Sequence, residues 1–258
     1  MTADLAGLGG IVTGAGSGIG KAVTLHLASL GADILAVDIR EGAAENVSQA
    51  ADGLPGHVVP HQADVTKPDE VKAYAERADV LFERFWFFHN NAGIEGVHKS
   101  IVDIGVDEWR SVMDVNLNSF FYGLKYVLPI LARRGGGAVV LTGSLLSFKA
   151  APHRADYTVS KHAILGMARS AAAEVATQGI KVNCICPGPI ETPLMTRSEL
   201  LTNESDPMQE RRRFEEATPI GRYGTPEEIA RSVAFLLSPS VPYLTGAALA
   251  VDGGLGAV

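Results

Sequence analysis

The apolar pair Ile11-Val12 runs straight into Thr13-Gly-Ala-Gly-Ser-Gly-Ile-Gly20, and an amphipathic stretch follows to Leu30, closed by Gly31. Gly14, Gly16, Gly18 and Gly20 therefore stand between a strand and a helix. Missing side chains there let backbone approach a pyrophosphate, and the helix N-terminus attracts its charge. Ile34-Leu-Ala-Val-Asp38 reads as a second buried strand, its unbroken apolar character suiting a parallel sheet covered on both faces. The rival phosphate motif, G-x-x-x-x-G-K-[ST], is excluded because Ala15 and Ala22 occupy its first glycine and its hydroxyl position.

The same alternation continues down the chain. Strands are expected near Val58-Val59, Trp86–Phe88, Ala138–Leu141, Ile180–Cys186 and Ala247–Val251. Between them lie a helix opened by Thr66-Lys-Pro-Asp69, a long helix from about Asp107 to Leu131, a helix through Tyr157 stopped by Gly179, and one capped by Thr225-Pro-Glu-Glu228. The pattern predicts an α/β fold, a doubly wound parallel sheet with helices on both faces, as one domain over residues 1–258. Hydrophobic residues make up 47% of the chain, enough for a large core. A formal charge of −7 argues against nucleic acid and anionic membrane as partners, and Arg211-Arg212-Arg213, offset by Glu210, Glu215 and Glu216, reads as a solvated helix face. No apolar run is long enough to span a bilayer and no signal pattern opens the chain, so a cytoplasmic location is expected. Cys184 and Cys186 project to one face of a strand as buried thiols, and the histidines lack metal spacing, so no metal site is expected.

Two residue sets point to chemistry. Asp38 lies about 20 residues beyond the glycine turn, where a carboxylate accepts hydrogen bonds from an adenosine ribose and repels a 2′-phosphate. Ile39 follows it instead of an arginine, and Ser17 stands where a base could grip that phosphate, which favours NAD over NADP. Tyr157 and Lys161 share one helix face at i, i+4. A free phenol ionises at about pH 10, and a cation beside it favours the phenolate, giving a pair that can exchange a proton with an alcohol oxygen.

With these motifs in order, the sequence resembles the short-chain dehydrogenase/reductase family from Gly10 to Gly254. Thr13–Gly20 matches its T-G-x-x-x-G-x-G turn, Asn90–Gly93 its N-N-A-G, Tyr157–Lys161 its Y-x-x-x-K, and Pro187-Gly188 its P-G turn. The resemblance implies a catalytic set of Asn116, Ser144, Tyr157 and Lys161: Tyr157 as acid or base, Ser144 orienting the reacting oxygen, Asn116 holding a water that links Lys161 to solvent. It implies cofactor contacts at Gly14, Ser17, Gly18, Ile19, Gly20, Asp38, Ile39, Asp64, Val65, Asn91, Ala92, Gly93, Pro187, Gly188, Ile190 and Thr192, along with Tyr157 and Lys161. For Asn90 the residues favour a buried amide tying strands together, and for Thr192 a turn cap is the rival role. A departure is the aromatic run Phe85–Phe88 with His89 ahead of Asn90, read as an overfilled core strand.

Substrate contacts are expected from Ser144, Leu145, Leu146, Tyr157, Glu95, Leu194 and Met195, with Phe148, Ile94 and Val97 nearby and residues 189–217 forming a lid. The leucines, Met195 and Phe148 suggest a largely apolar secondary alcohol or ketone, cyclic or aromatic. His153 is read as a solvated loop residue. The rival enzyme is a 3-oxoacyl-(acyl-carrier-protein) reductase, for which Arg133-Arg134 is a candidate carrier patch; the rival of another class is a non-catalytic NAD-sensing protein. By resemblance the protein is expected to be a homotetramer.

Overall fold

A computed structural model describes residues 4–258. Seven strands form one sheet: β1 (Gly9–Thr13), β2 (Asp33–Asp38), β3 (Val58–Gln62), β4 (Phe85–Asn90), β5 (Gly137–Thr142), β6 (Ile180–Pro187) and β7 (Ala248–Val251). Every pairing is parallel and the spatial order is β3-β2-β1-β4-β5-β6-β7. The order reverses between β1 and β4, so the C-terminal ends of these neighbours open the crevice in which doubly wound sheets hold ligands.

Helices cover both faces of the sheet, so that β1, β5 and β6 are buried along their whole length, the polar Lys181 and Asn183 of β6 included. Helices α1 (Gly18–Ser29) and α2 (Ala43–Ala50) follow the first two strands, and α3 (Pro68–Leu81) the third. After β4 come α4 (Val106–Met113) and α5 (Ser119–Arg133), then α6 (Ala155–Val175) after β5, α7 (Pro193–Thr202) and α8 (Pro207–Ala217) after β6, and α9 (Pro226–Leu237). On one face Val23 and Leu27 of α1 pack with Ile229 and Val233 of α9; on the other, Tyr74 of α3, Phe120 and Val127 of α5 and Ile164 of α6 close the core. The Thr225 capping box and Gly179, at φ +71°, stand where the sequence placed helix boundaries.

The long helix expected over 107–131 is instead α4 and α5 joined by a π-helical turn over Asp114–Asn118. Asn116 lies inside that turn, and its side chain is fully buried. The α2 helix carries no strong sequence signal and was not expected. The 189–217 segment is not loose chain but two helices, each with proline in its first turn and each capped by a side chain, Thr192 for α7 and Asp206 for α8. Of the arginine run, Arg212 and Arg213 are exposed as expected, whereas Arg211 pairs with Glu191 and Glu215 and lies over the Tyr223 ring, and Glu210 is buried.

The aromatic strand β4 is accommodated by glycine. Phe85, Phe87 and Phe88 are buried, and Trp86 donates its indole N–H to the carbonyl of Leu237 at 2.9 Å. Space for Phe87 exists because Gly10 has no side chain; a Cβ there would overlap the Phe87 ring. Gly10→Ala is therefore expected to destabilise the fold by about 1–3 kcal/mol through overpacking. Thermal denaturation should show the midpoint falling by about 2–10 °C.

Candidate active site

A cleft of about 980 Å³ runs along the C-terminal ends of β1, β4, β5 and β6. Of the cofactor, catalytic and substrate residues expected from sequence, all line it except Gly20 and Asn116, which lie one layer behind. At its nucleotide end, β1 turns sharply through Gly14, at φ +64°, whose Cα side faces Ala92 and Asn91 at van der Waals range. Gly20 packs onto the carbonyl of Gly14 so closely that any side chain would collide with it. Asp38 receives the N–H of Gly16 on Oδ2 at 2.9 Å, and the N–H and Nε–H of Arg40 on Oδ1 at 3.0 and 3.3 Å. The bare cradle and a carboxylate at its rim fit a dinucleotide. Asp64 accepts hydrogen bonds from Thr66, and Thr192 both lines the cleft and caps α7, so the cap reading of Thr192 holds alongside the lining one.

Deeper in, polar groups join the strand ends. Thr13 Oγ1 accepts the N–H groups of Asn91 and Ala92 at 2.9 and 3.1 Å, and Asn91 Nδ2 donates to the carbonyl of Thr13 at 3.0 Å. Thr142 Oγ1 donates to Asn91 Oδ1 at 3.1 Å, and the carbonyl of Thr142 accepts Lys161 Nζ at 2.8 Å. Asn90 is buried and ties β4 to β1 by accepting the Thr13 hydroxyl at 3.5 Å, and to α5 by donating to the carbonyl of Phe120 at 3.2 Å.

Tyr157 and Lys161 lie one turn apart on α6 and both are buried, as the spacing predicted. Their electrostatics differ from expectation. Burial pushes the Tyr157 phenol up from its ordinary value, opposed by the Arg154 guanidinium and by a hydrogen bond with Ser144. Lys161 Nζ stands 5.5 Å from the centre of the Tyr157 ring and spends its hydrogen bond on Thr142, while burial pulls its own pKa down to about 8. Asn116 makes a two-way bond with Ile94, accepting its N–H at 2.8 Å and donating to its carbonyl at 2.9 Å. That bond ties the π turn to the loop after β4, at a place where such turns recur in functional sites.

At the substrate end, Leu145, Leu146, Leu194 and Met195 supply the expected apolar lining, while Phe148 points elsewhere and is half exposed. Glu95 borders the cleft; it is only 2% exposed, and its Oε1 meets Arg154 Nη2 and His98 Nε2. Arg154, the residue just before α6, was missed; its non-helical backbone and its contact with Glu95 are set by tertiary packing. Thr142 and His98 were also missed, and no local pattern marks them. His153, exposed as expected, has φ +61°, the one non-glycine residue in the left-handed region among the described residues.

Residues 14–256 match the family described as enoyl-(acyl carrier protein) reductase. Cyclohexanol dehydrogenase of Acinetobacter sp. is 38% identical over 94% of this chain and 92% of its own, and a 3-oxoacyl-(acyl-carrier-protein) reductase of Thermotoga maritima is 35% identical over 95% and 96%. Among solved structures, levodione reductase superposes with a TM-score of 0.95 at 33% identity, covering 98% of this chain and 99% of that one. A structure described as a gluconate 5-dehydrogenase from Beutenbergia cavernae with NADP bound at low occupancy superposes with a TM-score of 0.89 at 31% identity, covering 99% of both. No helix among the described residues is long and apolar enough to cross a membrane.

The depressed Lys161 gives a signed pH effect. The folded side chain loses its proton near pH 8, whereas an unfolded lysine keeps it to about 10.4. Between these values the unfolded chain binds more protons, so this site adds stability as pH rises through the folded value. Melting temperatures of the wild type relative to Lys161→Met should therefore climb from about pH 8 to pH 10.

Proposed function

The chain belongs to the short-chain dehydrogenase/reductase family, and on that premise we propose that it interconverts a cyclic secondary alcohol and its ketone with NAD as cofactor. The observation that carries the reading is the buried Tyr157 phenol at the cleft, hydrogen-bonded with Ser144 and followed one turn later by Lys161. When bound, the nicotinamide accepts the hydride in oxidation and supplies it in reduction.

The chain's own residues handle the proton. In oxidation the Tyr157 oxygen takes the proton of the carbinol, and in reduction it returns one to the ketone oxygen. Ser144 donates a hydrogen bond to the same substrate oxygen and holds it against the phenol. Lys161, anchored on the carbonyl of Thr142 at 2.8 Å, would bind the ribose next to the nicotinamide. Gly14, Ser17, Gly18, Ile19, Asn91, Ala92 and Gly93 hold the dinucleotide backbone, and Asp38 takes the adenosine ribose hydroxyls. Leu145, Leu146, Leu194 and Met195 exclude water from the ring of the substrate.

Preference for NAD rests on Asp38, whose buried carboxylate meets a 2′-phosphate as a like charge. Arg40 is the one nearby base, and it is bonded to that carboxylate. The carrier-protein reductase reading draws on the Thermotoga relative. Against it, Arg133 and Arg134 are already paired with Asp79. The complete set of Asn116, Ser144, Tyr157 and Lys161 weighs against an NAD sensor. Exposed Phe121 and Val159 on α5 and α6 support the homotetramer as the assembled form, which light scattering tests.

A panel of cyclic, aromatic and linear secondary alcohols, followed by the absorbance of reduced cofactor, should show turnover with cyclic members and NAD. Tyr157→Phe should lose that turnover by at least about a hundredfold while keeping the wild-type melting temperature. With the best alcohol, kcat/KM should favour NAD over NADP by about tenfold or more, and Asp38→Ser should narrow the gap; a wild type that prefers NADP would remove the assignment of NAD.

A further inference from the structure

The cluster formed by Glu95, His98 and Arg154 is absorbed neither by cofactor nor by the proton chemistry above, yet it borders the phenol. Arg154 is the residue just before α6, and its guanidinium carbon lies 5.4 Å from the centre of the Tyr157 ring. That is as near as the ammonium of Lys161, at 5.5 Å. The two cations differ in what holds them. Lys161 is bound to a neutral carbonyl, whereas Arg154 is paired with Glu95, a carboxylate buried to 2% exposure whose second oxygen has no partner.

Glu95 is fixed in turn by His98, 3.0 Å away, whose other ring nitrogen is 2.9 Å from Thr202 Oγ1 at the end of α7. The cluster thus spans the loop after β4, the start of α6 and the first lid helix. His153, in its left-handed conformation, turns the chain immediately before Arg154.

We propose that Arg154, restrained by Glu95, is a positioning residue that stabilises the phenolate of Tyr157 from the substrate side, with its strength set by how fully Glu95 neutralises it. The inference rests on Tyr157 being the acid-base group. A cation within this distance of a ring favours the ionised phenol, and a buried carboxylate beside that cation weakens the effect. Burial otherwise opposes ionisation of Tyr157, and Arg154 is the foremost opposing influence. The remaining charged and titratable groups around the phenol are Lys161 and Asp156 on α6, His98 beyond Glu95, Glu210 and Arg213 of α8 across the cleft, and Cys184 and Cys186 of β6 behind Lys161.

The test is a pair of substitutions with opposite expected signs. Arg154→Met should move the acid-side inflection of kcat/KM for alcohol oxidation to higher pH by about one unit, so that turnover falls about tenfold below the inflection and recovers above it. Arg154→Lys should restore most of the original profile. Glu95→Gln, which leaves the guanidinium unbalanced, should move the inflection to lower pH. The same order should appear without turnover in the tyrosinate absorbance of the apoprotein, taken as the difference between each variant and its Tyr157→Phe counterpart. Equal displacement of both variants in one direction, or no displacement in either, overturns the inference. Should Tyr157→Phe itself keep turnover, the underlying assignment of Tyr157 fails, an outcome separate from an unmoved profile in Arg154→Met.

Discussion

A chain of hydrogen bonds across the open ends of three strands, from Thr13 through Asn91 and Thr142 to Lys161, holds the two halves of the cleft in register. Each link closes a polar group that burial would otherwise leave unsatisfied, at a cost of about 1–3 kcal/mol per group. The glycine turn that cradles a dinucleotide and the helix that carries Tyr157 are thereby fixed against one frame. Hydride and proton transfer need that fixity, because reacting atoms must be held within a few tenths of an ångström.

The burial that makes this frame rigid also works against the chemistry it serves. An interior site penalises a phenolate and an ammonium alike, raising the pKa of Tyr157 and lowering that of Lys161. An i, i+4 lysine is thus a less complete explanation of an acidic phenol than its spacing suggests. The surrounding structure adds a hydrogen bond from Ser144 after β5 and the charge of Arg154 at the helix start, which is itself paired with Glu95 from the loop after β4. The same architecture recurs in solved structures named for different substrates, so the fold by itself does not specify a substrate.

Much of this was legible beforehand because its causes are local. A glycine turn between two apolar runs, a proline at a helix start and a phenol one helical turn from a lysine each act over a few residues, so the strands, most helices and the placing of Tyr157 and Lys161 on one helix face followed from the chain read in order. Neither α2 nor the π turn around Asn116 was visible. The first is a short helix with little patterning, and the second is a one-residue insertion that keeps the helical period on either side. The aromatic run of β4 was read as crowded, but the glycine that relieves it, Gly10, stands far away in sequence.

What the sequence determined by itself was the alternation of strand and helix, the glycine turn after the first strand, and the sharing of one helix face by Tyr157 and Lys161. Periodicity and backbone sterics specify these within each segment. Tertiary structure alone decided which charged groups meet which partners: that Glu95 meets Arg154, that Lys161 is bound to Thr142, and that Arg211 pairs with Glu191 and lies over Tyr223. Coulombic and desolvation effects depend on distances between residues remote in the chain, and only the packed sheet and its helices set those distances.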